Sequence, residues 1–241
     1  MRKVYFANGE YYHIYNRGVD KRDVFIDNKD YWKFFDGLRD FNNTSFYEQR
    51  LDALGLSTDT DSSKELSSLN FKELGSFLQK QKKVVNIPSY SLNSNHYHLI
   101  VQQLEDKGIS NFMHKLGTSY PNYFNKKYER SGSLFQGPFK AVHVDNNEYL
   151  RWLLGYVNGN IEIHGLNKAN DYSWSSFQAI LKELSSFQDK KKELSSLSAL
   201  SGLEVILSQF SNQEDFKNFV MQVIKESREN KKMKKYLLEA I

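Results

Sequence analysis

The stretch SLNSNHYHLIV, residues 91–101, sets His96 and His98 two positions apart in an apolar run, in a chain with only 6 histidines among 241 residues. In a strand, residues i and i+2 project from one face. At roughly 3.3 Å rise per residue the two imidazoles start about 7 Å apart, and by leaning together they can share one divalent ion. Tyr97 and Leu99 then point the other way, into a core. For the triplet alone, a partly exposed strand face that carries two histidines by chance is the simpler reading. Several metal chemistries are set aside. Leu99 and Ile100 stand where an HxHxDH hydrolase has Asp and His, and no HExxH helix occurs. The chain has no Cys, so disulfides and thiolate sites are excluded. A catalytic ion held by two imidazoles needs a further O or N ligand from elsewhere, and open positions on it can take phosphate oxygens.

A candidate for that ligand lies in NNEYLRWLLGYVNGN, residues 146–160. Leu150, Leu153, Leu154 and Val157 fall at i, i+3, i+4 and i+7, the buried stripe of a helix over 147–160. Trp152, Tyr156 and Asn160 lie on a second line, and the last two are neighbours at i and i+4. One is a phenol that can act as nucleophile, the other an amide oxygen that can ligate. Gly155 and Gly159 beside them cost about 1 kcal/mol each relative to Ala, which suggests close backbone approach, here by a DNA strand. The plainer alternative makes Tyr156 an amphipathic rim residue and Asn160 a C-cap.

The elements that must position these residues are legible around them. EYYHIYNRG (10–18) reads as a first strand. Tyr31, Phe34, Phe35, Leu38 and Phe41 follow at helical spacing behind a possible cap, Asn28. VVNIPSYSL (84–92) and HYHLIVQQL (96–104) read as a hairpin around the turn NSN, with Pro88 marking an edge strand or a bulge. An amphipathic helix runs from Ile109 to about Arg130, with Pro121 expected to kink or split it. A strand at about 139–144 precedes the helix capped by Asn146 or Asn147. The order β-α-β-β-α-β-α implies an α+β fold, an antiparallel sheet with helices against one face.

Two segments break the pattern. Residues 43–83, with STDTDSSKELSS and KQKK, are too polar for core and read as an inserted arm. Within the last part of the chain, Phe216, Phe219, Val220, Val223 and Ile224 mark an amphipathic helix ahead of the basic run KESRENKKMKK. This gives a catalytic domain over 1–170, with the arm at about 43–83, and a helical C-terminal extension over 171–241. KELSS recurs at 64, 182 and 192 with irregular spacing, which suggests similar helix starts rather than a repeat. The sequence has no apolar run near 18 residues and no apolar segment at its start, so neither a membrane span nor a secretion signal is expected. With zero Cys, a cytoplasmic location fits. The net charge of +4 permits a nucleic-acid partner, and the 15% aromatic content offers faces on which unpaired bases can stack.

Taken together, NHYHLIV and the later GYVNGN resemble the single-tyrosine HUH transposases, closest to the REP-associated tyrosine transposases of the insertion-sequence 200-like group. YYHIYNRG (11–18), YPNYFNKKYERSGSLFQGPFKA (120–141) and DYSWSSF (171–177) fit the same pattern. The likeness covers roughly 10–42 and 84–177. It implies a ferredoxin-like domain that cuts and rejoins single-stranded DNA, with hairpin-forming repeats as the partner. By position it makes His96 and His98 metal ligands, Asn160 the third ligand and Tyr156 the nucleophile, with Mg²⁺ or Mn²⁺ as cofactor. Relatives often carry Pro directly after that Asn, whereas Ile161 follows here, so the resemblance leaves the helix end open. Lys126, Lys127, Arg130, Lys140 and Arg151 are candidate phosphate contacts or ordinary solvated charges. Both a homodimer and a monomer are compatible with the sequence. A non-catalytic binder of structured single strands and a water-using, metal-dependent phosphodiesterase remain as alternatives, the latter with no need of Tyr156.

Overall fold

The computed structural model describes residues 4–42, 83–191 and 207–229. Strand β1 (Tyr11–Arg17) leads into helix α1 (Asn28–Asp40), then β2 (Val85–Asn93), β3 (His96–Gln103), helix α2 (Gly108–Lys127), β4 (Lys140–Val144) and helix α3 (Asn147–Ile163). Helices α4 (Phe177–Lys191) and α5 (Gln213–Glu229) follow. The sheet order is β2-β3-β1-β4, and every pairing is antiparallel. That is the βαββαβ arrangement of a ferredoxin-like α+β fold.

Both faces of the sheet are covered, not one. Tyr12, Ile14, Tyr97, Leu99 and Val101 pack under α1 and α2 through Phe34, Leu38, Phe112, Leu116 and Tyr120. The opposite face carries a second core, in which Ile100 and Val144 meet α3, α4 and α5. Helix α3 is therefore buried along both of the lines read from its sequence, because the sheet covers one side and α5 the other. Phe216, Val220, Val223 and Ile224 form the apolar stripe of α5.

Local signals are met with some shifts. Asp27, not Asn28, caps α1, in a reciprocal capping box with Asp30. Pro88 lies in the edge strand β2, at a register shift between Asn86 and Ser89, so both expectations for it hold at once. Pro121 neither splits nor ends α2, which runs unbroken over Gly108–Lys127. The KELSS copy at 182 falls inside α4 rather than at its start, and the copies at 64 and 192 lie outside the described residues, as does most of the 43–83 arm. The DYSWSSF segment runs along β2: Leu92 donates its N–H to the Trp174 carbonyl, and Ser91 bridges Ser175. This covers what would be an open sheet edge. No described helix is long and apolar enough to cross a membrane.

Candidate active site

The face of the sheet under α3 is polar where the histidines emerge. Strand register sets Asn93, His96 and Arg17 in one row, and Ser91, His98, Tyr15 and Lys140 in the next. His96 and His98 do share this face, with ring centroids 5.2 Å apart, and both are buried. Tyr97 and Leu99 pack in the other core, as the alternation requires.

Helix α3 brings its polar line onto the pair. Its N-cap is Asn146, whose side chain accepts from the Tyr149 N–H at 2.7 Å. The helix continues through Ile163 to a C-cap at His164, so Asn160 is an interior residue and not a cap. Its depth is fixed by Asn158, which donates to Ser89 Oγ at 3.0 Å and accepts from Ser176 Oγ at 2.8 Å. One turn either side of that clamp stand Leu154 and Glu162, and between them Tyr156 and Asn160 face the histidines. Tyr156 lies edge-on to His98 with centroids 5.5 Å apart, is stacked by Trp152 at 5.3 Å, and is fully buried. Asn160 Oδ1 is 3.1 Å from His96 Nε2.

Gly155 and Gly159 serve protein packing rather than a DNA strand. A Cβ on Gly155 would come 2.8 Å from Val223 Cγ2, and one on Gly159 2.5 Å from Ile224 Cγ1. The close approach inferred from the sequence is real, but its partner is α5.

Hydrogen bonding defines the protonation of His96. Its Nδ1 lies 2.5 Å from Asn95 Oδ1, an oxygen that can only accept, so Nδ1 carries a proton and, in the neutral ring, Nε2 a lone pair. His98 Nδ1 is 2.8 Å from Nε2 of a third buried histidine, His13 on β1. With His98 as donor, its Nε2 also keeps a lone pair. Each Nδ1 has a hydrogen-bonding neighbour that orients its ring, as metal-binding histidines usually do. Among the described residues no cluster of three His, Asp or Glu side chains exists to hold a metal. The third donor is an amide oxygen instead, and two imidazoles with one amide oxygen suit a divalent ion. The residues present fit the group.

Of the five candidate phosphate contacts, only Lys140 is on this face, exposed, with Nζ 5.9 Å from the Tyr15 ring centroid. Lys126, Lys127 and Arg130 sit at or just after the end of α2, on the other side of the sheet, with Lys126 exposed. Lys127 binds Asp27 at 2.7 Å and buried Asp30 at 2.7 Å, and Arg130 donates to Asn125 at 2.9 Å. Arg151 is held between the rings of Phe210 and Phe219, each 4.7 Å away, and donates to the Gln209 carbonyl. These contacts are structural. Arg17 was not expected at the site. It stands opposite His96, and its Nε is buried with no hydrogen-bond partner. The signal for it and for His13 is the alternation of β1, which puts residues 11, 13, 15 and 17 on the histidine face.

Residues 64–160 match the family model described as "Transposase IS200 like". A solved structure titled "Structure of the REP associates tyrosine transposase bound to a REP hairpin" is similar at 12% identity, over 84% of this chain and 92% of that one, with a TM-score of 0.49. No curated protein matches the chain at a significant level. The segment that holds His96, His98, Tyr156 and Asn160 thus carries the sequence pattern of the IS200-like transposase family.

Proposed function

We propose that the protein is a transposase that cleaves and rejoins single-stranded DNA through Tyr156, at hairpin-forming repeats. The observation that carries this reading is the meeting of Tyr156 with His98 and of Asn160 with His96, across an interface between α3 and β3. A phenol of ordinary pKa about 10 is a weak nucleophile. When bound by His96, His98 and Asn160, Mg²⁺ or Mn²⁺ would neutralise phosphate charge by Lewis acidity, worth several kcal/mol.

The chain's own residues do the rest. Tyr156 Oη attacks phosphorus, the bond from phosphorus to the 3′ oxygen breaks, and that oxygen leaves as a 3′-OH with the proton lost from the phenol. The product is a 5′-phosphotyrosine. One phosphodiester replaces another, so the step reverses without a nucleotide cofactor. Asn158, Ser89 and Ser176 hold the register of α3 on the sheet. Because Tyr156 is fully buried, side chains that cover it, the Trp152 ring among them, must move before a phosphate can reach the hydroxyl.

Mixing the protein with labelled single-stranded DNA and Mn²⁺ tests this. A denaturation-resistant adduct should map to the peptide containing GYVNGN. Tyr156→Phe should lose adduct and cleavage together while keeping its fold and DNA affinity. Tyr149→Phe should keep both activities. Cleavage by Tyr156→Phe without an adduct would make water the nucleophile, and tight binding without cutting or adduct in any metal would leave a binding module.

A further inference from the structure

Asn93 is the last residue of β2, fully buried, and its side chain points between His96 and Asn160. Its Nδ2 lies 3.0 Å from His96 Nε2 and donates a short hydrogen bond to Asn160 Oδ1. Those two atoms are themselves 3.1 Å apart. Both are acceptors: Nε2 because the His96 proton is on Nδ1, and Oδ1 because it is an amide oxygen. Two lone pairs at that distance need positive charge between them. The amide hydrogens of Asn93 supply it here, in the place where a cation would satisfy the same pair.

The far side of this arrangement is unsatisfied. Asn93 Oδ1 and Asn160 Nδ2 are both buried without a hydrogen-bond partner. A buried amide oxygen left so costs on the order of 1–3 kcal/mol. An amide is also nearly symmetric in shape, so a half-turn about its last torsion exchanges Oδ1 for Nδ2 without changing its volume. After such a turn, the Asn93 site atom would be a hard oxygen ligand instead of a donor. The geometry suits one: donors about 2.1 Å from an octahedral ion at right angles are about 3 Å apart. Two edges of the triangle are already of that length, 3.0 Å from Asn93 Nδ2 to His96 Nε2 and 3.1 Å from His96 Nε2 to Asn160 Oδ1, while the Asn93–Asn160 edge is shorter.

We infer that Asn93 is a fourth metal ligand, which closes the metal-free site as a hydrogen-bond donor and turns its amide to bind the ion through Oδ1. The inference rests on the metal site of the proposed function and extends it. It gives that site an N₂O₂ donor set from three elements, β2, β3 and α3, with two positions left for phosphate oxygen or water.

The test is Mn²⁺ binding without DNA, read from the free-ion electron paramagnetic resonance signal. Asn93→Ala should weaken Mn²⁺ at least tenfold. Asn93→Asp should bind Mn²⁺ as tightly as the wild type or more so, since a carboxylate oxygen ligates but cannot donate to His96 or Asn160. If Asn93 only props the site by hydrogen bonds, Asn93→Asp would instead lose affinity as Asn93→Ala does, and the inference would fall. Should both variants misfold, the wild type still decides. With ¹³C in its asparagine side-chain carbonyls, bound Mn²⁺ should show electron–nuclear couplings to two such carbons, and a single coupled carbon would overturn the ligand. Failure of wild-type protein to bind Mn²⁺ at all would bring down the metal site and this inference together. Equal binding by wild type and Asn93→Ala would bring down the inference alone.

Discussion

His13 Nε2 and His98 Nδ1 lie 2.8 Å apart, with their rings stacked at 22° and both side chains closed off from solvent. His13 fixes which way the His98 ring faces. His13→Ala should therefore lower Mn²⁺ affinity by about 10–100-fold while the fold persists. Isothermal titration calorimetry with circular dichroism measures both. An affinity equal to that of the wild type would show that packing alone orients His98.

Arg17 should matter for DNA and not for metal. Its guanidinium is on the histidine face beside His96, with a buried Nε that lacks a partner. For single strands each neutralised phosphate contributes a slope of about −0.7 in log K against log salt. Arg17→Gln should make the slope shallower by about that amount, and Arg17→Lys should largely restore it. Arg39→Gln, whose ion pairs are with Asp36 and Asp40 on exposed α1, should leave it unchanged. Fluorescence anisotropy with a hairpin oligonucleotide over a salt series gives the answer.

The seam between α3 and α5 predicts that better helix formers will destabilise. Gly159→Ala gains about 1 kcal/mol of helix propensity. It also drives a methyl group into Ile224, at an overpacking cost of about 1–3 kcal/mol. The net should be a lower melting temperature. Ile224→Ala should cost less in the Gly159→Ala background than in the wild type, and a thermal double-mutant cycle reads that coupling.

The parts of this site that a single chain segment encodes were legible, and those that need a distant partner were not. The Leu150–Val157 stripe and the pairing of Tyr156 with Asn160 follow from helical periodicity within one segment. Periodicity could not reveal that α5 buries the second line, because α5 arrives from residues 213–229. His13 has no histidine neighbour in sequence to give it away, and 85 positions separate it from its partner. Asn93 reads as a turn residue in NSN, although it closes β2 and faces His96 and Asn160. Lys127 looks like a free cation because its acids, Asp27 and Asp30, lie about a hundred residues earlier in the chain.

That last cluster makes stability acid-sensitive. Burial pushes the Asp30 carboxyl up, but bonds from Lys127, Tyr128 and the Ile26 and Asp27 N–H groups outweigh it and hold it below the ordinary value. A carboxyl depressed in the folded state stabilises fully above its unfolded value of about 3.9, and the contribution disappears as pH falls through the folded value. Asp30→Asn should therefore flatten the stability profile below about pH 4. At neutral pH it should destabilise by about 1–3 kcal/mol, since an amide cannot accept all the bonds the buried carboxylate takes, while Lys127 keeps its pair with Asp27. Urea unfolding from pH 7 to pH 3 tests both statements.

The stack of Trp152 on Tyr156, 5.3 Å between centroids and 11° from parallel, also gives the protein an optical gauge. Trp32 and Trp174 lie together, 5.1 Å apart, with Trp174 packed on the α1–α2 core. Only Trp152 among the tryptophans touches the tyrosine. With Trp32 and Trp174 replaced by Phe, the remaining indole emission would come from the ring stacked on Tyr156. Any outward swing of Tyr156, or a phosphodiester newly attached to it, would alter the quenching of that indole. Stopped-flow fluorescence could then time the exposure of the hydroxyl separately from the cutting of DNA, in one cuvette and without a label.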